Sequence, residues 1–287
     1  MHDLACLAPA FRSAAADTRC EAVDEVDLER LRTDHVPSNR PAVLRGVLSD
    51  WPPLERWSDD AYLRAAAPQA RVRVRRASAD GSVSAGGGAY ELDEVDWPAL
   101  VDAHAEAESR GRAAHHYAAQ LRLRTDLPRL FADTQPVPAC VGALGHMWSH
   151  APSAYFGCGH ATPLHFDLLE NLLCVVRGRK QVTLWHPGDS GLLYPSEGSD
   201  AAFSRANVYA PDLTTFPRLH DAAARALHVE LSAGDALYIP VCWWHAVRTP
   251  AGKRSISVSY WTQQPSGKAC EPVDADDEWG TAEDDTT

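Results

Sequence analysis

Thr162-Pro-Leu-His-Phe-Asp-Leu-Leu-Glu-Asn-Leu-Leu-Cys-Val-Val-Arg-Gly-Arg-Lys-Gln-Val-Thr-Leu-Trp185 is the stretch that decides the fold. Its centre is His165-Phe166-Asp167. On a strand, residues two apart point to the same face, so this triplet aims an imidazole and a carboxylate at one point. The apolar run Leu172 to Val176 reads as a buried strand, Arg177-Gly178 as a turn, and Lys180 to Trp185 as the return strand.

Downstream, Ala233-Gly234-Asp235 is a turn signal. Ala236 to Pro240 is a short apolar strand, and Trp243 to Val247 forms another that carries His245. Two histidines and one carboxylate with open positions beside them make the facial triad of a non-haem Fe(II) oxygenase. His165, Asp167 and His245 are therefore the candidate metal ligands and catalytic residues. Taken alone the His-x-Asp triplet is weak, since two core histidines and a surface aspartate would look the same. The combination of triplet, basic return strand and distal histidine after a Gly-Asp turn is far more specific.

From about Pro41 to Trp261 the chain resembles the small JmjC-type (cupin-like) 2-oxoglutarate oxygenases. His165 to Leu173 is similar to the group that hydroxylates the wybutosine base of tRNA. Gly178-Arg-Lys180 and Gly191-Leu-Leu-Tyr-Pro195 are similar to the protein arginyl hydroxylases. The resemblance implies Fe(II) as metal, 2-oxoglutarate as co-substrate filling two coordination positions, and O2 at the third. It also implies an oxoacid site. Lys180, thirteen positions beyond Asp167, matches the family's carboxylate-binding lysine. At an inward position of a barrel strand such a lysine needs an anion, because an unpaired buried charge is costly. Thr162, Tyr117 and Asn171 match the family's hydroxyl, phenol and amide partners of the oxoacid, and Ser259 stands where relatives often carry an amide. Competing roles are a turn cap for Thr162, core packing for Tyr117 and backbone hydrogen bonding for Asn171. Arg179 should face solvent, and His160 and His186 are not expected to be ligands. Trp148, Tyr155 and Trp243 are either core or the lining of a substrate mouth.

The remaining segments fit the same architecture. Val26 to Leu31 suggests a short amphipathic helix, and Pro41 to Gly46 the first strand. Ser58 is a candidate N-cap for a helix running to about Ala66. Arg71-Val-Arg-Val-Arg75 alternates with period two, and its basic face reads as solvated. A helix is expected from about Trp97 to Glu108, and a strand from His115 to Gln120. Gly145 to His150 and Ser153 to Phe156 lead into the motif, with a small helix near His220 to Ala226. Arg254 to Tyr260 alternates serine with Ile, Val and Tyr, which reads as a strand with one polar and one apolar face. Many short strands with helices gathered toward the N-terminus make the expected fold mainly β. It is a double-stranded β-helix, the jelly roll of cupins, with N-terminal and inserted helices. The expected layout is an N-terminal helical extension (1–40), the oxygenase domain (41–265) and an acidic, disordered tail (266–287).

Charge and cysteine usage narrow the function. The net charge is −12, but eight acidic residues against Lys268 after Gly267 put about seven of those charges in the tail. The body is mildly acidic, so the basic footprint of nucleic-acid binding is not favoured. Its only basic cluster is Arg71, Arg73, Arg75 and Arg76. Seven scattered cysteines without a C-x-x-C suit a reducing cytoplasm. No apolar run approaches the roughly 18 residues of a membrane span, and Met1 to Ala16 lacks the basic start and apolar core of a signal peptide. With no long helix pair to serve as a seam, the reading leans toward a monomer. The main functional reading is hydroxylation of an amino-acid side chain in a protein or peptide. The alternatives are a tRNA nucleoside, a small-molecule natural product, or N-methyl-lysine demethylation. Demethylases of the family usually carry Glu at the position of Asp167 and attached reader modules, and this chain has neither. A cupin that only binds a ligand is the remaining class.

Overall fold

The protein is described by a computed structural model over residues 22–83, 90–144 and 151–262. Met1 to Ala16, Gly145 to His150 with Trp148, and the acidic tail lie outside the described residues. Among the described residues, twelve strands run in chain order. They are β1 (Asp24–Glu25), β2 (Ala42–Leu44), β3 (Arg71–Arg76), β4 (Leu92–Asp96), β5 (His116–Arg122), β6 (Ser153–Cys158), β7 (Glu170–Arg177), β8 (Arg179–Trp185), β9 (Leu227–Ser232), β10 (Ala236–Ile239), β11 (Trp244–Arg248) and β12 (Arg254–Thr262). A large sheet has the order β1-β2-β10-β7-β12-β6-β5-β3-β4, and a small sheet the order β11-β8-β9. Helices α1 (Leu28–Arg30), α2 (Pro52–Arg56), α3 (Asp60–Ala66), α4 (Trp97–Ser109), α5 (Leu123–Asp126), α6 (Pro128–Asp133), α7 (Ala139–Ala143) and α8 (Leu219–Ala223), with a π-turn (Leu31–His35) and two 3₁₀ turns (Pro187–Leu192 and Gly198–Asp200), complete the described elements. Two facing sheets, antiparallel apart from the short β1–β2 pair, with helices outside are the jelly roll expected of a cupin.

Parity along each strand assigns the layers. Leu172, Cys174 and Val176 of β7 pack with Trp57, Trp97 and Leu100 on the helical side of the large sheet. Leu173 and Val175 point the other way and pack between the sheets with Val182 and Leu184 of β8. A strand covered on both faces needs no polar alternation, which is why this run is continuously apolar. The β7–β8 turn admits only glycine at 178. Its φ is +71°, and a Cβ there would lie 2.0 Å from the Arg254 carbonyl oxygen. A half-buried ionic cluster ties helices to sheet. Asp60 of α3 accepts from Arg177 and Arg254, and Arg254 also reaches Glu108 of α4.

Several boundaries differ from the sequence reading. Asp59, not Ser58, caps α3, because its carboxylate accepts the Ala61 N–H at 2.8 Å. The helix expected over Val26 to Leu31 is one α-turn capped by Asp27, followed by a π-turn over Leu31–His35. A two-residue strand, β1, precedes the expected first strand and pairs parallel with β2. The small helix near His220 starts at Leu219. His165-Phe-Asp167 is not in a regular strand. It is an irregular segment held to β11 by a reciprocal bridge, with His165 N–H to His245 O at 3.0 Å and His245 N–H to His165 O at 2.7 Å.

Candidate active site

That bridge builds the site. It sets His165 beside His245, with ring centroids 4.3 Å apart. The same segment carries Asp167, whose carbonyl accepts the Cys242 N–H at 2.9 Å. Donor atoms of His165, Asp167 and His245 all lie within 4.8 Å of one another. His165 Nδ1 donates to Pro163 O and His245 Nδ1 to Trp243 O, each at 2.9 Å. With Nδ1 carrying the proton, each ring turns the bare lone pair of Nε2 inward, the tautomer a metal ligand needs.

His245 Nε2 and Asp167 Oδ2 face each other at 3.3 Å. With His245 in that tautomer neither atom carries a proton to share, and Asp167 Oδ2 has no hydrogen-bond partner. Opposed lone pairs buried out of water are costly unless a cation sits among them. Burial alone would raise the Asp167 carboxyl; a hydrogen bond and positive charge from the imidazole side, His245 first, override it and hold it below the usual carboxylate range whenever a cation, proton or metal, occupies that gap. Burial, with His245 alongside, pushes His165 down to about 4, which keeps it neutral at physiological pH.

The three residues open into a cavity between the two sheets. All eight residues singled out in the sequence line it: His165, Asp167, His245, Lys180, Thr162, Tyr117, Asn171 and Ser259. Lys180 is 2% exposed. It points inward with Val182 and Leu184 by strand parity, while Arg179 turns out to pair with Glu230 at 3.0 Å. No described residue accepts a hydrogen bond from the Lys180 ammonium, and its nearest aromatic partner is the Tyr117 ring at 5.8 Å. Burial lowers it to about 8. Asn171 Oδ1 and Ser257 Oγ also line the cavity without partners. Each unpaired buried group costs about 1–3 kcal/mol, so the wall is built for a polar occupant. Tyr117 is held by a stacked His160, with centroids 4.8 Å apart, over Gly157, where a Cβ would lie 2.9 Å from the Tyr117 ring. His160 itself donates from Nε2 to Ala114 O and accepts the Cys158 N–H, so it is not a ligand. Nor is His186, which caps a 3₁₀ turn. Thr162 is mainly engaged with backbone: its hydroxyl accepts the Val247 N–H at 3.0 Å and lies 3.2 Å from Val247 O.

Of the aromatic candidates Tyr155 lines the cavity, whereas Trp243 is core and donates to Asn39 O. Arg75, Tyr90, Gln120, Phe203 and Ser257 also line it. Ser257 was legible as the residue two before Ser259. Arg75 was not, because its alternation is the same as that of Arg71 and Arg73.

The model of the family described as "Cupin-like domain" matches residues 28–268. This chain belongs to that cupin-like family, in its JmjC-type branch. Lysine-specific demethylase 8 of Xenopus tropicalis is 31% identical over 237 residues, covering 82% of this chain and 50% of that protein. Jumonji C domain-containing protein 5 of Drosophila melanogaster is 29% identical over 249 residues, covering 83% and 58%. The human bifunctional peptidase and (3S)-lysyl hydroxylase JMJD7 is 32% identical over 263 residues, covering 79% and 78%. The chain thus spans about half the length of the first two. JmjC-type cupins are 2-oxoglutarate-dependent oxygenases that use Fe(II), 2-oxoglutarate and O2. The residues here fit both groups: convergent lone pairs on His165, Asp167 and His245 suit a divalent metal, and an unpaired Lys180 beside orphaned amide and hydroxyl oxygens suits a dicarboxylate.

Proposed function

We propose that the protein is an Fe(II)- and 2-oxoglutarate-dependent hydroxylase of an amino-acid side chain in a protein or peptide. The observation that carries this reading is the inward lone pairs of His165, Asp167 and His245 within one cavity that also holds the unpaired Lys180. When bound, iron and 2-oxoglutarate supply O2 activation coupled to release of succinate and CO2. The chain's own residues do the positioning. His165, Asp167 and His245 hold the metal, with both imidazoles oriented through Nδ1–H. Lys180 anchors the far carboxylate of the oxoacid. Asn171, Tyr117 and Ser259 complete that subsite, with Thr162 supporting it mainly through Val247. Leu173, Ile239 and Trp261 form apolar walls of the same cavity.

A peptide substrate is favoured over RNA by the state of the basic strand. Arg71 pairs with Glu94 and Asp96, and Arg76 with Glu91 and Asp93, so β4 neutralises much of the cluster. N-methyl-lysine demethylation is a second reading. It uses the same hydroxylating step on a methyl group, and the name of the Xenopus relative favours it. The test is anaerobic titration with Fe(II) and 2-oxoglutarate, followed by aerobic turnover on panels of unmodified and methyl-lysine peptides. Both ligands should bind, and succinate should form with a +16 Da product on a peptide. Bound iron with no peptide-dependent succinate across the panels would remove the proposal.

A further inference from the structure

Arg75 differs from its neighbours on β3. It lines the cavity, half-buried, while Arg71 and Arg73 stay exposed on the same strand face. Its Nη2 donates to Gln120 Oε1 at 2.7 Å, and its guanidinium lies 3.7 Å from the centroid of the Tyr90 ring. Both partners are neutral. No carboxylate among the described residues lies within ion-pair distance. The group is therefore oriented without being neutralised.

Gln120 is placed for this at a cost. Its φ is +57°, in the left-handed region, at the irregularity where β5 slips register against β6 between Ala118 and Leu121. Bulges of this kind re-aim a side chain, and backbone strain of this kind persists where the surroundings enforce it. Here the re-aimed amide meets Arg75.

The charge balance of the cavity gives the arginine its role, on the reading above. A divalent metal, the Asp167 carboxylate, the oxoacid dianion and the Lys180 ammonium cancel. Arg75 is left with one positive charge that nothing in the loaded site matches. One guanidinium edge is held by Gln120, and the remaining N–H donors suit a carboxylate, which accepts a planar fork of hydrogen bonds. A single carboxylate completes the balance, whereas a phosphate dianion would exceed it. We propose that Arg75 is a specificity-determining residue, and that the substrate is an acidic peptide whose Asp or Glu carboxylate binds Arg75 beside the residue presented to the metal centre.

The test uses the full chain with two fluorescent peptide pools of otherwise identical composition. One has Asp and Glu, the other Asn and Gln, at positions flanking a randomised centre. Binding is measured anaerobically, with and without Mn(II) plus 2-oxoglutarate. The acidic pool should bind roughly tenfold or more tightly than the amide pool. Arg75→Gln should abolish the difference and Arg75→Glu should reverse it. Arg75→Lys, which keeps the charge and loses the fork, should retain part of it and report on folding through its thermal transition. Equal binding of the two pools to the unmodified protein overturns the proposal. So does a tenfold rise in the 2-oxoglutarate requirement of Arg75→Gln with pool discrimination intact, since Arg75 would then serve the oxoacid. If Mn(II) and 2-oxoglutarate fail to bind while the pools are still discriminated, the hydroxylase reading falls and the Arg75 assignment stands.

Discussion

Strands β3 and β12 both alternate polar and apolar residues, and both place their apolar residues in the same core beneath the helices. Val72 and Val74 of β3 and Ile256, Val258 and Tyr260 of β12 belong to one cluster. Their polar faces have opposite fates. On β3, Arg71 and Arg73 are exposed and Arg71 pairs with acids of β4, with Arg75 alone of that row reaching the cavity. Ser255, Ser257 and Ser259 of β12 are each about 1% exposed. Ser255 finds a partner in Thr249 at 2.7 Å, while Ser257 and Ser259 line the cavity. A polar face open to solvent is compensated by water and surface ions. A polar face between two sheets is compensated only by what the cavity holds, so its chemistry specifies an occupant.

This contrast predicts effects of very different size. The largest belongs to Asp167→Ala, which should abolish metal binding by calorimetry and with it turnover. Metal should raise the unfolding temperature of the parent and leave that of the variant unchanged. A metal-induced rise that survives in the variant would remove Asp167 from the ligand set. Next comes Lys180→Met. Losing a charge-assisted bond should raise the 2-oxoglutarate concentration required by about 10- to 100-fold, without loss of metal-free stability. The same amine sets a pH dependence. It is lowered to about 8 by burial and must be protonated to pair with a carboxylate. Oxoacid affinity should thus be flat below about pH 8 and fall above it, by up to about tenfold per pH unit. An unchanged affinity at pH 9 would exclude Lys180 from the oxoacid site.

The smallest effects come from making one change on both strands. Ser257→Ile should weaken 2-oxoglutarate binding about tenfold, because it fills part of the cavity and removes a hydroxyl. Arg73→Ile, equally polar to apolar on an alternating strand, should change stability by less than about 0.5 kcal/mol and leave oxoacid binding untouched. Equal responses in the two variants, read by thermal unfolding and oxoacid titration, would erase the distinction between the faces.

Much of this architecture follows from local pattern. The continuous apolar run of β7, the glycine turn at 178 and the Gly-Asp turn before β10 are short-range features, and the jelly roll follows from their order. The resemblance carried by His165-Phe-Asp167 and the distal His245 pointed to the family in which the chain belongs. Strand parity placed Lys180 inward and Arg179 outward, because side-chain alternation is a property of the backbone itself. Other features were decided only by the tertiary structure. The His-x-Asp segment is an irregular bridge to β11, since its hydrogen bonds come from a strand nearly eighty residues away. Thr162 spends its hydroxyl largely on Val247 for the same reason. The serines of β12 are buried, and Arg75 turns to the cavity while Arg73 does not, because a neighbouring bulge supplies Gln120. Periodicity states which residues share a face. What that face meets depends on segments distant in the chain, and those contacts exist only once the two sheets have closed.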